Sequence, residues 1–268
     1  MASAMAQSPP ADNADVDIDV HRRENRLRQR RVKILTTRDS WAVLARKDDI
    51  LRQTLDGIAV ATNPDVICDI GCFNGEEIAR FHRLVPSASC YAFEANKRNI
   101  DNYINARSDL EGVVVNNVAV ADYDGEIEFN ILNAEGEQED WRRAAGSLNE
   151  RTDGVGGEKV SVRCTRLDTH FASQLNDNCT FLLWIDVEGA LDRVIAGGQK
   201  LLSRTIAFRA EVERHQFWAG QKLAHETISA IENLGFILVA DSYTEDAFAQ
   251  SDVLFVNKNW LKLASRDE

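Results

Sequence analysis

One stretch of this chain restricts its fold more than any other: Val66-Ile67-Cys68-Asp69-Ile70-Gly71-Cys72-Phe73-Asn74-Gly75-Glu76-Glu77. An apolar run with strand character stops at a glycine, a second glycine follows, and a helix-compatible sequence begins. The next apolar run, Tyr91-Ala92-Phe93, ends on Glu94. A strand, a glycine turn, a helix, a second strand and an acid, in that order, make the layout that holds adenosine-type ligands. The turn lets the ligand approach bare backbone, and the acid accepts hydrogen bonds from ribose hydroxyls.

The chemistry of the turn narrows the ligand. A dinucleotide turn carries Gly-x-Gly-x-x-Gly, because a pyrophosphate must rest on backbone amides at the helix N-terminus. Here the middle glycine is absent and Phe73 puts bulk where a diphosphate needs room. Glu76 and Glu77 suit the positive end of the helix dipole but repel phosphate. Asp69, just before the turn, is placed to accept from a cationic or amino group. These features favour a sulfonium with an amino-acid end, S-adenosylmethionine (SAM), over a diphosphate. The competing reading of the segment alone is a crossover that holds no ligand, since glycine turns occur widely.

Beyond this segment the chain alternates. Strands are expected at Val66–Ile70, Ser89–Glu94, Val113–Val120, Glu126–Ile131, Lys159–Thr165, Phe181–Val187, Ile206–Val212, Phe236–Ala240 and Val253–Val256. Helices are expected at about 74–84, 97–107, 191–202 and 222–234. Phe181–Val187 is almost wholly apolar, as in a strand buried on both faces. The pattern implies a mostly parallel sheet with helices on both faces. With 268 residues the chain can form one large α/β domain with additions. The domain is expected over 61–268, after a disordered acidic leader (1–20) and a helical extension (21–60). In that extension a helix from Asp39 or Ser40 to about Leu55 would turn Trp41, Leu44, Ile50, Leu51 and Leu55 inward. The basic run His21–Lys33 reads as a solvated arm or as a local patch for an anionic surface. The polar loop 134–158 is long enough to act as a lid.

Composition excludes some partners. A formal net charge of −12 argues against nucleic acid. No run is long enough to span a membrane. The five cysteines have neither metal nor disulfide spacing, which suits a reducing cytoplasm.

In such a sheet ligands bind beyond the carboxyl ends of the strands. Asp186 and Glu188 leave one strand there, and residues two apart on a strand share a face. They could bind a cation, take a substrate proton, hold the SAM amino group or simply cap the next helix. Glu211 and Glu213 leave the following strand in the same way. His215, next along, could serve as a general base because its intrinsic pKa is near neutral.

At these residues the sequence resembles the FkbM family of SAM-dependent methyltransferases. The resemblance runs from about Pro64 to Val256 through DIGCFNGEE (69–77), YAFEAN (91–96), NVAVADYDGEIEF (117–129), GSL (146–148), VSVRCTRLD (160–168), FLLWIDVEGAL (181–191), GGQKLL (197–202), AEVE (210–213), LGF (234–236) and SDVLFV (251–256). It implies a Rossmann-like class I methyltransferase fold with a seven-stranded sheet, and methyl transfer to a hydroxyl of a sugar, glycoconjugate or natural product. A small residue follows the first glycine in the family, and Cys72 fits that position. Asp69, Gly71, Cys72, Phe73 and Gly75 are then expected on the methionine side of the donor, Glu94 at the ribose, and Asn117 and Val118 beside the adenine. Asp186, Glu188, Glu211 and His215 are the candidates for activating the acceptor, directly or through Mg²⁺. No residue is assigned as a metal ligand, and metal use stays open at this point. A nicotinamide-dependent oxidoreductase and a non-catalytic adenosine-binding module are the alternatives.

Overall fold

The computed structural model describes residues 37–133, 140–243 and 250–260. The leader 1–20, the basic run 21–33 and residues 134–139 of the long loop lie outside them. The main sheet has seven strands: β1 (Val66–Ile70), β2 (Ser89–Phe93), β3 (Val114–Asn116), β7 (Phe181–Ile185), β8 (Thr205–Glu213), β9 (Phe236–Asp241) and β10 (Gln250–Asn257). Their order is β3-β2-β1-β7-β8-β10-β9. β3, β2, β1, β7 and β8 are mutually parallel, and β10 runs antiparallel to both β8 and β9. β1 pairs with β2 on one side and β7 on the other, so the glycine turn emerges at the centre of the sheet.

Helices cover both faces, and β1 shows why. Side chains alternate across a strand. Val66, Cys68 and Ile70 face a core that includes Leu191, Val194, Leu201 and Ile231. These come from α7 (Leu191–Gly197), α8 (Gln199–Arg204) and α9 (Ala224–Asn233). Ile67 faces the opposite core with Leu51, Leu55, Ile78 and Phe81, from α1 (Thr37–Thr62) and α2 (Glu76–Leu84).

α1 runs longer than expected. Leu51, Leu55 and Ala59, spaced by four, form its buried stripe, and Ile50 falls off that stripe and is 51% exposed. Ion pairs fasten the helix: Arg52 to Glu77 at 2.6 Å, Asp56 to Arg80, and Asp48 to Arg209 of β8.

Other elements depart from expectation for visible reasons. The run 113–120 is not one strand. β3 ends at Asn116, and β4 (Ala119–Val120) joins a second sheet of order β4-β6-β5, with β5 (Gly125–Leu132) and β6 (Gly157–Thr165). The break falls at Asn117, whose side-chain amide donates to the carbonyls of Glu94 (2.9 Å) and Ala95 (3.1 Å). The helix expected from Lys97 is α3 (Lys97–Asn99), continued by a π turn over Ile100–Ile104. The short helices α4 (Asp140–Ala144), α5 (Leu167–His170) and α6 (Ala172–Asn176) follow in the chain. The helix expected over 191–202 divides at Gly198, where Gly197 presses so close to the Ala121 carbonyl that no side chain fits. Among the described residues no helix is long and apolar enough to cross a membrane.

Candidate active site

The turn after β1 closes around the end of β2. Gly71 (φ 83°) and Cys72 both donate their amides to the Phe93 carbonyl, at 2.9 and 3.0 Å. Phe73, also left-handed at φ 44°, donates its amide to Glu94 Oε2 at 2.9 Å. The other oxygen of Glu94 accepts from the Asn96 amide at 2.7 Å. Each carboxylate oxygen has two lone pairs, so Glu94 keeps acceptor capacity for a ligand. Burial pushes its carboxyl up to about 7, while these two amides pull the other way.

Above the turn is a partly enclosed cleft at the exits of β1, β2 and β7, the place where an open α/β sheet binds its ligand. Gly71, Glu94, Asn96, Asn99 and Asp186 contribute its polar lining, and Val118, Phe129, Leu148 and Val187 its apolar walls. No Lys, Arg or His lines it among the described residues. Two carboxylates without a cation suit a positively charged ligand and oppose a diphosphate.

Of the expected donor-site residues, Gly71, Glu94 and Val118 line the cleft. The others support it from behind. Asp69 shares the inward face of β1 with Ile67, is 1% exposed, and accepts from the Ile78 amide at 3.2 Å. It therefore braces the start of α2 and does not open to the cleft. Cys72 is buried in the core beneath α2. Gly75 (φ 73°) turns the chain against Leu110, and the Phe73 ring packs on Tyr103. Asn117 is engaged in the clamp on β2 described above.

Sequence reasoning left Asn96, Asn99, Phe129 and Gly146 unassigned, although the segments 91–96 and 146–148 had been singled out. Gly146 lies in the wall because a Cβ there would stand 2.6 Å from the Phe129 ring. The segment after it is fastened down. Ser147 donates its hydroxyl to the Glu188 carbonyl (2.6 Å), and Asn149 donates its side-chain amide to the Gly189 carbonyl (2.8 Å). Thr152 donates its amide to the Phe217 carbonyl at 2.8 Å. The described part of the loop expected as a lid is thus bonded to its surroundings.

A second group of acids adjoins the cleft through Asp186. One carboxylate oxygen from each of Asp186, Glu188 and Glu211 lies within 4.8 Å of the others. Glu188 is held at φ 44°, and Gly189 (φ 70°) follows, packed against Trp218. Gln250 donates its side-chain amide to Glu188 (3.3 Å) and to Glu211 (3.2 Å). Asp186 is open toward the cleft, but protein crowds its carboxylate. Burial first, and then Glu188, raise its pKa. Burial and Glu213 raise Glu188, and burial with Asp186 and Glu188 raises Glu211 well above the usual range. His215 is exposed on the turn after β8 and is not one of the grouped residues. Two further acids come close. Glu213 is 3% exposed and is pushed by burial up to about 7. Asp252 lies opposite Glu211 in the β8–β10 pairing and forms an ion pair with Arg209 at 2.6 Å.

The strand order, with its single reversed strand next to the edge, and a cleft at the exits of β1, β2 and β7 define a class I SAM-dependent methyltransferase. Residues 69–238 match the family model described as "Methyltransferase FkbM domain", and the chain belongs to that family. It is 31% identical over 175 residues to "2-O-methyltransferase NoeI" of Sinorhizobium fredii (strain NBRC 101917 / NGR234), a match covering 61% of this chain and 70% of the relative. Among solved structures, magnesium protoporphyrin IX methyltransferase from Synechocystis PCC 6803, with bound SAM, is 11% identical with a TM-score of 0.37, covering 94% of this chain and 100% of that one. An O-methyltransferase family protein from Burkholderia thailandensis is 6% identical with a TM-score of 0.39, covering 81% of this chain and 58% of that one. The nicotinamide alternative falls with the family assignment.

The residues present fit SAM. Gly71 lines the cleft and lets Asp186 pack directly behind it, apolar walls suit a purine, and Glu94 offers acceptors to a diol.

Proposed function

We propose that this chain methylates a hydroxyl oxygen of a sugar, glycoconjugate or related natural product. The observation that carries this reading is the junction of the two acidic sites: Asp186 belongs both to the wall of the donor cleft and to the group it forms with Glu188 and Glu211. An alcohol is a poor nucleophile, so a group that removes its proton must stand beside the methyl donor. The relative from Sinorhizobium fredii carries the name of a 2-O-methyltransferase, which supports the same bond type.

SAM, when bound, supplies an electrophilic methyl group. Glu94 receives the ribose hydroxyls, Val118 and Phe129 flank the purine, and the backbone of Gly71 borders the methionine end. Asp186 faces the cationic part of the donor. Glu188, raised to about 7, suits uptake and release of the acceptor proton near neutral pH, and Glu211 beside it is raised well above the usual carboxylate range by burial, Asp186 and Glu188. The chain's main contribution is alignment of the acceptor oxygen in a site closed to water, an effect worth about 7–11 kcal/mol where geometry is ideal. Five free thiols are consistent with work in the cytoplasm.

The test is incubation of the protein and methyl-labelled SAM with a host extract and a panel of free and lipid-linked glycans, read by mass spectrometry. The reading requires label on an ether oxygen. Label on nitrogen, sulfur or carbon alone would overturn it.

A further inference from the structure

The acid group beside the cleft holds more negative charge than proton transfer needs. Two cations bear on this group and both have other carboxylates: Arg209 pairs with Asp252 and Asp48, and Arg151, which acts on Glu188, pairs with Asp153. Gln250 supplies one amide shared between Glu188 and Glu211. Packing several carboxylates together is costly unless a proton or a cation intervenes.

A separate observation points to a cation. Glu213 follows Glu211 by two residues on β8 and so shares its face. It is 3% exposed, and its Oε1 has no hydrogen-bond partner among the described residues. Of the neighbouring charges, Glu213 acts most strongly on Glu188. A buried carboxylate oxygen without a hydrogen-bond partner, on the strand face of Glu211 and beside Glu188, is costly as it stands, and a bound ion would offset that cost.

The donor set fits one kind of ion. Oxygens within 4.8 Å of one another can meet around a single centre, given metal–oxygen bonds of about 2.0–2.6 Å for Mg²⁺ and Ca²⁺. The group contains no His or Cys, which disfavours zinc and favours a hard divalent ion.

We propose that Asp186, Glu188 and Glu211 ligate a divalent cation of the Mg²⁺ or Mn²⁺ type, with Glu213 behind them as the positioning residue. The site rests on the O-methylation reading for its purpose, which is to hold the acceptor hydroxyl next to the donor. Its existence is tested without an acceptor.

The full chain, stripped with EDTA and desalted, is titrated with Mn²⁺ and followed by electron paramagnetic resonance, with and without S-adenosylhomocysteine. One Mn²⁺ per chain is expected, displaced by Mg²⁺, and the melting temperature rises with Mn²⁺ in the wild type. Glu211→Gln and Glu188→Gln each weaken Mn²⁺ more than about tenfold, and Glu213→Gln weakens it about 10–100-fold, as loss of a supporting residue does. Circular dichroism checks the fold of each variant, and Asp186→Asn replaces any that fails. Absence of bound Mn²⁺ at millimolar concentration, or equal binding by wild type and every folded variant, overturns the proposal. Failure to bind S-adenosylhomocysteine in the same samples would instead strike the donor-cleft reading, and a labelled product on nitrogen would strike the acceptor reading. Neither changes the Mn²⁺ result.

Discussion

Gly71 backs directly onto Asp186. A Cβ on Gly71 would stand 2.8 Å from the Asp186 carbonyl carbon and nearer still to its oxygen. The same contact joins β1 to β7, because the Asp186 amide donates to the Ile70 carbonyl at 2.8 Å. Gly71→Ala must therefore hold a left-handed backbone, at about 1–2 kcal/mol, and force two central strands apart, at about 1–3 kcal/mol. Calorimetry should show a lower melting temperature together with loss of S-adenosylhomocysteine binding.

Donor binding should follow the titration of Glu94. In the proposed donor position the ribose hydroxyls would donate to its ionised carboxylate, whose pKa in the ligand-free protein is raised by burial to about 7. Affinity for S-adenosylhomocysteine should weaken as pH falls from about 8 to about 6. Glu94→Gln should weaken binding about tenfold or more, the worth of a hydrogen bond to a charged group, and should flatten this pH dependence. Isothermal titration at several pH values reads both effects.

The acid group should separate turnover from donor binding. Glu188 and Glu211 lie outside the cleft lining, whereas Asp186 belongs to it. Glu188→Gln and Glu211→Gln are expected to lower kcat by roughly 10²–10⁴-fold while leaving S-adenosylhomocysteine affinity nearly unchanged. Asp186→Asn should disturb both. Steady-state kinetics on the identified acceptor, with parallel titrations, make the distinction.

Ser147 holds the Glu188 turn. Its buried hydroxyl donates to the Glu188 carbonyl and accepts from the Asn149 amide at 3.0 Å. Ser147→Ala leaves two partly buried backbone groups, the Glu188 carbonyl and the Asn149 amide, without this partner and should cost about 1 kcal/mol in urea unfolding. A fall in kcat partly restored by Ser147→Thr would mark its role in positioning Glu188.

The metal-free protein should gain stability on mild acidification. Glu94 and Glu213 rise from about 4.5 when unfolded to about 7 when folded, and Asp186, Glu188, Glu211 and Asp252 are also raised by burial. Between these values the folded state binds more protons than the unfolded chain, so stability falls as pH increases. Arg209 and Asp48 bear on this group from β8 and α1. His170, lowered by burial, pulls the other way below its ordinary value. The net expectation in EDTA is a higher melting temperature near pH 6 than near pH 8, values chosen to bracket the raised carboxyls at about 7.

The central strands were legible because burial on both faces writes itself as a short apolar run. Val66–Ile70 is strand from end to end, and Phe181–Ile185 falls within the expected segment. The division at Asn117 was not legible, since it depends on the carbonyls of Glu94 and Ala95, more than twenty residues earlier, in the segment that leaves β2. Glu94 and Asp186 could be placed at the cleft from their position at strand exits. Asp69 could not be turned away from it, because only the return of α2 over β1 gives its carboxylate the Ile78 amide. Asp252 joins the acid group through an antiparallel pairing with Glu211 across a reversed strand, a contact no local pattern encodes. Glu213 was visible as an acid sharing the face of Glu211, but its unpartnered oxygen is a property of packing alone.

The α1 helix gives the folding unit a different border from the family match. The match begins at residue 69, yet Leu51, Leu55 and Ala59 close one face of the sheet, and Asp48 and Asp56 neutralise Arg209 and Arg80. Recombinant boundaries drawn at the edge of the matched block would strip this face bare and leave Arg209 with Asp252, and Arg80 with Glu77, as their remaining carboxylate partners. The segment that homology treats as a preface is, in mechanical terms, one wall of the room in which the chemistry takes place.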